Sequence, residues 1–120
     1  MKKNIIICED DEDISEATSM VLSDQGFDTC LIKEEKELQD RLKEKKPDLI
    51  LFDLLMPGMN SREDIKKLKE DVHTQDIPII IFSANDQIKK ITEEVGADGY
   101  LMKPFDISDL ISIVKRFSQN

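Results

Sequence analysis

Five short apolar runs, separated by longer amphipathic stretches, constrain this chain more than any other feature. The runs are Ile5–Cys8, Thr29–Ile32, Leu49–Phe52, Ile79–Phe82 and Tyr100–Met102. The first, third and fourth are continuous, which is how a strand covered on both faces reads; a half-solvated strand would alternate. Between the runs, apolar residues recur at helical spacing: Ile14, Ala17, Val21 and Leu22; Ile65, Leu68 and Val72; Ile88, Ile91 and Val95; Ile107, Leu110, Ile111 and Val114. The stretch from Leu38 to Lys45 is the weakest, with only Leu38 and Leu42 to bury. Ser61 with Asp64, and Asp106 with Asp109, resemble capping boxes in which Asp replaces the usual Glu. Gly26, Pro47, Pro57-Gly58, Pro78 and Gly96 fall between the elements, where chain breakers belong. The pattern is an α/β chain with βα repeated five times. It predicts a doubly wound parallel sheet with helices on both faces, and right-handed crossovers leave few topologies.

Composition narrows the function. A length of 120 residues suits one domain, spanning 1–120, with no room for an output domain in the chain. Hydrophobic residues make up 39%, enough for a real core despite 36% charged residues. A net charge of -9 argues against direct binding to nucleic acid and to anionic membranes, since both require basic surfaces. No apolar run approaches the roughly 20 residues that span a bilayer. Lys2 and Lys3 precede Ile5–Cys8, but that run is too short for a signal peptide and is stopped by the charged stretch from Glu9 to Asp13. The expected location is the cytoplasm. Cys8 and Cys30 lie inside apolar runs and read as reduced, packed thiols rather than a disulfide or a metal pair. His73 sits in a polar loop, residues 71–76, and is expected to be exposed without a catalytic role.

The chemistry collects where the apolar runs end. The first ends in Glu9, Asp10 and Asp11, the third in Asp53, the fourth in Ser83 and the fifth in Lys103. In open α/β sheets, ligands bind outside the carboxyl ends of the strands, at the point where strand order reverses. If the first and third strands are neighbours there, their acids share a crevice. Carboxylates so placed repel one another, and a hard divalent cation relieves them. Mg2+ takes one or two carboxylates and keeps water and phosphate oxygens as its other ligands. A Lys opposite the acids is a point charge for a phosphoryl oxygen, and a Ser hydroxyl can donate to a second one. Together these form a phosphoryl-transfer site. Asp53, flanked by Phe52, Leu54 and Leu55, is the acid best held to act as a nucleophile, and Glu9 and Asp10 suit metal ligation. Asp11 is open between spare acid and capping residue, and Ser83 between phosphoryl ligand and helix cap.

Four segments carry a family resemblance: Ile-Ile-Ile-Cys-Glu-Asp-Asp-Glu-Asp-Ile at 5–14, Pro-Asp-Leu-Ile-Leu-Phe-Asp-Leu-Leu-Met-Pro-Gly-Met at 47–59, Ile-Pro-Ile-Ile-Ile-Phe-Ser-Ala at 77–84, and Gly-Ala-Asp-Gly-Tyr-Leu-Met-Lys-Pro-Phe at 96–105. In this order and spacing they resemble the receiver domain of bacterial response regulators, end to end. The resemblance implies strand order 2-1-3-4-5 and gives each matching position a role. Asp53 would be the phosphoacceptor. Asp10 would bind Mg2+ directly, Glu9 through water, and Leu55 through its backbone carbonyl. Ser83 and Lys103 would contact the phosphoryl oxygens, and Tyr100 would change rotamer as Ser83 moves. Lys103-Pro104 would be a cis peptide. The donor would be a phosphohistidine on a sensor histidine kinase or histidine phosphotransfer protein, met at the first helix near Ile14, Ser15 and Thr18. The switched surface would be formed by helix 4, strand 5 and helix 5. Glu9 stands where Asp is commonest, Ser61 where Gly is frequent, Ser83 where Thr is commoner and Leu38 where Ala is frequent.

A competing reading is a Mg2+-dependent phosphatase of the haloacid-dehalogenase type, with Asp11-Glu12-Asp13 supplying its Asp-x-Asp and Asp11 the nucleophile. Against it stand the missing room for a cap domain, the lack of a Thr after Asp13 and the idleness of Asp53. An FMN-binding flavodoxin is disfavoured by the lack of Trp, the single Tyr and the acids in the expected phosphate loop.

Overall fold

The strands form where the apolar runs lie, each extended by one residue of polar or small character. The computed structural model describes residues 2–119. In chain order the elements are β1 (Asn4–Cys8), α1 (Glu12–Asp24), β2 (Asp28–Ile32), α2 (Glu35–Glu44), β3 (Leu49–Asp53), α3 (Ser61–Glu70), β4 (Ile79–Ser83), α4 (Ile88–Val95), β5 (Gly99–Met102) and α5 (Ile107–Ser118). All pairings are parallel and the sheet order is β2-β1-β3-β4-β5, as the resemblance implied. β1 and β3 are therefore neighbours, in register at Cys8 and Phe52, so the chain leaves the sheet side by side at Glu9 and Asp53.

Side chains alternate across each strand, so the sheet divides the core in two. Ile6, Cys8, Ile50, Phe52, Ile79 and Ile81 face α2, α3 and α4, meeting Leu38, Ile65, Ile88 and Ile91. Ile5, Ile7, Leu49, Leu51, Ile80 and Phe82 face α1 and α5, meeting Leu22, Leu110 and Val114. Each such side chain contributes roughly 1.5–3 kcal/mol on burial. β3 and β4 are buried at every residue, whereas the edge strands β2 and β5 leave Leu31, Tyr100 and Met102 at the surface.

Several local expectations are corrected. The fully buried residues of α1 are Ser15, Thr18 and Leu22, whereas Ile14 and Val21 pack only partly buried against the same core and Ala17 is exposed. The latter three line an apolar groove of about 450 Å³ shared with Phe105, Ile107 and Leu110. α3 ends at Glu70, so Val72 lies beyond it and is exposed. Neither proposed capping box forms. Asn60 caps α3, its side chain accepting from the Glu63 amide at 3.3 Å, and Ser61 is buried inside the first turn. Asp106 starts α5 without a side-chain cap. Asp11 resolves as a cap: its Oδ1 accepts from the amides of Asp13 and Ile14 at 2.9 and 3.2 Å. α4 stops at Gly96, whose φ of 79° is left-handed and favours glycine.

Candidate functional site

Parallel strands deliver their C-terminal ends to one edge, and the chemical residues arrive there together. Asp53 closes β3 at 5% exposure, and Glu9 follows β1 at 1%. Lys103 follows β5 and reaches back across the sheet. Its Nζ lies 2.5 Å from Glu9 Oε1 and 3.3 Å from Asp53 Oδ2, so it bridges the two acids. Its ammonium also sits 4.8 Å from the centroid of the Phe82 ring, whose face attracts a cation.

The remaining carboxylate oxygens are held by the backbone. The Leu55 amide donates to Asp53 Oδ1 at 3.1 Å, and the Asp10 amide donates to Glu9 Oε2 at 3.0 Å. The Ser61 hydroxyl donates to the Asp53 carbonyl at 2.8 Å, fixing the backbone of the acceptor residue from α3. Ser83 ends β4, is 1% exposed, and its Oγ accepts from the Asn85 amide at 3.1 Å. It does not cap α4, which begins at Ile88 with Gln87 in the cap position. The Lys103 amide donates to the Ser83 carbonyl at 2.9 Å, which ties the β4 and β5 ends. Lys103-Pro104 is cis, as expected.

Electrostatics at the site are strained toward negative charge. Burial pushes the Glu9 carboxyl up to about 7; the neighbouring Asp53 carboxyl adds to the rise, and Lys103 opposes it. One ammonium thus faces two buried carboxylates, with the exposed Asp10 beside them. An oxygen-liganded divalent cation suits such a donor set. Among the described residues no three His, Cys, Asp or Glu side chains form a ready-made cage. That is compatible with Mg2+, which needs few protein carboxylates.

The structure brings together Glu9, Asp53 and Lys103 in direct contact, with Ser83 tied to Lys103 through the backbone. Asp10 stands at the exposed rim, Leu55 is 77% exposed over the crevice, and Tyr100 is 39% exposed on β5. His73 is exposed, and Met56 is buried in the core under α3. Two contributors were missed in the sequence: Ser61, read as a capping residue and a variant of Gly, and Phe82, read only as core. For Phe82 the signal was available, since it immediately precedes a strand-end Ser.

Comparison with known proteins identifies the family and the fold. The family model described as the response regulator receiver domain matches residues 5–115. The DNA-binding response regulator MtrA of Mycobacterium tuberculosis is 33% identical over 117 residues, covering 96% of this chain and 50% of that protein. The chain thus spans about half the length of the curated relatives it matches. A crystal structure of a response regulator from Chloroflexus aurantiacus superposes with a TM-score of 0.91 at 26% identity, covering 98% of both chains. The receiver domain of a sensor histidine kinase from Pseudomonas aeruginosa, solved with magnesium coordinated in its active-site cleft, superposes with a TM-score of 0.87 at 21% identity, covering 98% of each chain. On the match over residues 5–115, this chain belongs to the response regulator receiver domain family of two-component signalling.

Proposed function

We propose that the chain accepts a phosphoryl group on the Asp53 carboxylate from a phosphohistidine, with Mg2+, and reports the event by remodelling the surface of α4, β5 and α5. The observation that carries the reading is the Glu9–Lys103–Asp53 contact: a buried carboxylate at a strand end, with an ammonium 3.3 Å from one of its oxygens. An Asp53 oxygen forms the new P–O bond as the P–N bond of the donor breaks, and the electron pair stays on the imidazole nitrogen, which takes a proton from water. Lys103 then neutralises a phosphoryl oxygen, and the Ser83 hydroxyl donates to another. The Ser83 hydroxyl proton is available for this, because its oxygen acts here as an acceptor from Asn85. Asp10 and Asp53 would hold Mg2+ directly, Glu9 through water and Leu55 through its carbonyl. When bound, the ion supplies positive charge against the carboxylates and the phosphoryl oxygens.

Residues 1–120 act as one receiver unit in this reading, in the cytoplasm. It is a signalling domain whose only catalysis is its own phosphorylation and dephosphorylation. The donor is a sensor histidine kinase or a histidine phosphotransfer protein. The groove of Ile14, Ala17 and Val21 with Phe105 and Ile107 is the apolar surface beside the site on which a donor helix would pack. The downstream partner meets Tyr100 and Met102, at 39% and 41% exposure, after Ser83 moves inward and Tyr100 repacks. The acidic surface makes a protein, rather than nucleic acid, the direct contact of this unit.

Intact-protein mass after incubation with acetyl phosphate and Mg2+ tests the reading. One added phosphoryl group in the wild type, none in Asp53→Ala, and none when Mg2+ is chelated is the expected result. Labelling that persists in Asp53→Ala would overturn it. The phosphatase alternative fares worse in this structure, because Asp11 is exposed and engaged in capping α1.

A further inference from the structure

Glu35 opens α2 and Asp64 lies in the first turn and a half of α3, on the opposite side of the sheet from the α1–α5 groove. Both line a cavity of about 380 Å³ between the two helices, with Leu38, Leu42 and Leu68. Glu35 Oε2 and Asp64 Oδ2 are each sealed from solvent without a hydrogen-bond partner. Two orphaned acceptors in contact cannot satisfy each other, but one proton placed between them satisfies both. Burial pushes the Asp64 carboxyl up to about 7, and its contact with the Glu35 carboxyl adds to the rise.

The neighbouring charges do not cancel the pair. From α3, Lys67 opposes the rise and Glu63 adds to it. Lys43 of α2 and Asp71 line the same cavity. From β1, the Cys8 thiol is raised by burial and by Cys30, Glu35, Asp64 and Glu37, which sets the β2 thiol and carboxyls of α2 and α3 about the same core. α2 has little else to hold it. Leu38 is its one buried residue, and its N-cap makes no side-chain hydrogen bond.

We infer that Glu35 and Asp64 form a proton-gated clasp between α2 and α3. With one proton shared, the O–H of one carboxyl donates to the carboxylate oxygen of the other and the helices are held. When that proton leaves to solvent, two adjacent negative charges remain and α2 loosens. The sign follows from the raised carboxyl: the folded protein holds a proton that the unfolded chain gives up, so the contribution is full below about pH 4 and is lost as pH rises through about 7. The clasp does not rest on the phosphoacceptor reading.

Chemical unfolding of the wild type, Asp64→Asn and Glu35→Gln, each at about pH 5.5 and about pH 8, tests it. Between those values the wild-type unfolding constant should rise on the order of tenfold more than that of Asp64→Asn, after allowance for solvent screening. Glu9 is retained in every variant, so its own contribution cancels in the comparison. Amide protection in α2 should fall with pH in the wild type and stay level in Asp64→Asn. Carbon-13 titration of the wild-type carboxyl groups, which needs no variant, should show a coupled pair with one step near neutrality. Equal pH slopes in wild type and variants, or two ordinary carboxylate titrations, would overturn the clasp.

Discussion

The Ser61 hydroxyl donates a buried hydrogen bond, 2.8 Å long, to the main-chain carbonyl of Asp53. It fixes the backbone just before the chain turns away from the sheet, where the acceptor carboxylate takes its aim. Ser61→Ala leaves that carbonyl unsatisfied at a buried position and should lower stability by about 1–2 kcal/mol. Urea unfolding measures the loss, and the rate of phosphorylation by acetyl phosphate should fall with it. An unchanged midpoint would mean that water replaces the hydroxyl.

Lys69 and Asp98 tie α3 to the β4 and β5 starts. Lys69 Nζ donates to Asp98 Oδ2 at 2.9 Å and to the Ile77 carbonyl at 3.0 Å, while Asp98 Oδ2 also accepts from the Ile79 amide at 2.8 Å. Asp98→Ala removes an acceptor from two donors and should cost about 2 kcal/mol, whereas Asp98→Asn keeps one bond and should cost about half as much. Parallel denaturation curves for the two variants decide whether the charge or the hydrogen bond matters more.

Asp11→Ala separates capping from catalysis. Loss of the α1 cap should reduce stability by about 1 kcal/mol. Phosphorylation of Asp53 should persist. Abolished turnover of phosphate compounds in a folded Asp11→Ala protein would revive the phosphatase reading.

Mg2+ should raise the unfolding midpoint in a saturable way, because an ion that binds only the folded state stabilises it by about 2.7 kcal/mol at a hundredfold excess over its Kd. Asp10→Ala should shift that titration to much higher Mg2+, and chelation should reverse the gain. Equal responses in wild type and Asp10→Ala would remove Asp10 from the metal site.

The two thiols should react at very different rates. Cys8 is fully buried in β1 and burial holds its thiol well above the ordinary range, whereas Cys30 is half-buried on the edge strand. A disulfide exchange reagent should modify one thiol per folded chain and the second only on unfolding. Fast modification of both would show that β1 opens locally.

The sheet, its strand ends and the acids at them were legible in the sequence because buried parallel strands write continuous apolar runs that stop abruptly at Glu9, Asp53 and Ser83. The sheet-facing side of α1 was legible only in part. Leu22 marks it, and Ile14 and Val21 flank it, but Ser15 and Thr18 are buried there and count as polar in any periodicity. The Ser61–Asp53 bond and the Lys103 bridge join positions far apart along the chain, and no local pattern encodes them. The Glu35–Asp64 contact was hidden for the same reason, between two helices that each look ordinarily charged.

Division of the core by strand parity has a consequence for tolerated changes in chain length. Inserting or deleting one residue within β3 would exchange the partners of Leu49, Ile50, Leu51 and Phe52 between the two cores and turn the Asp53 carboxylate away from Glu9 and Lys103 at the same stroke. The same edit in the loop from Asp71 to Asp76, which joins α3 to β4 at the far end of the sheet, touches neither core. Indels among relatives of this chain should therefore accumulate in that loop and be nearly absent from β3.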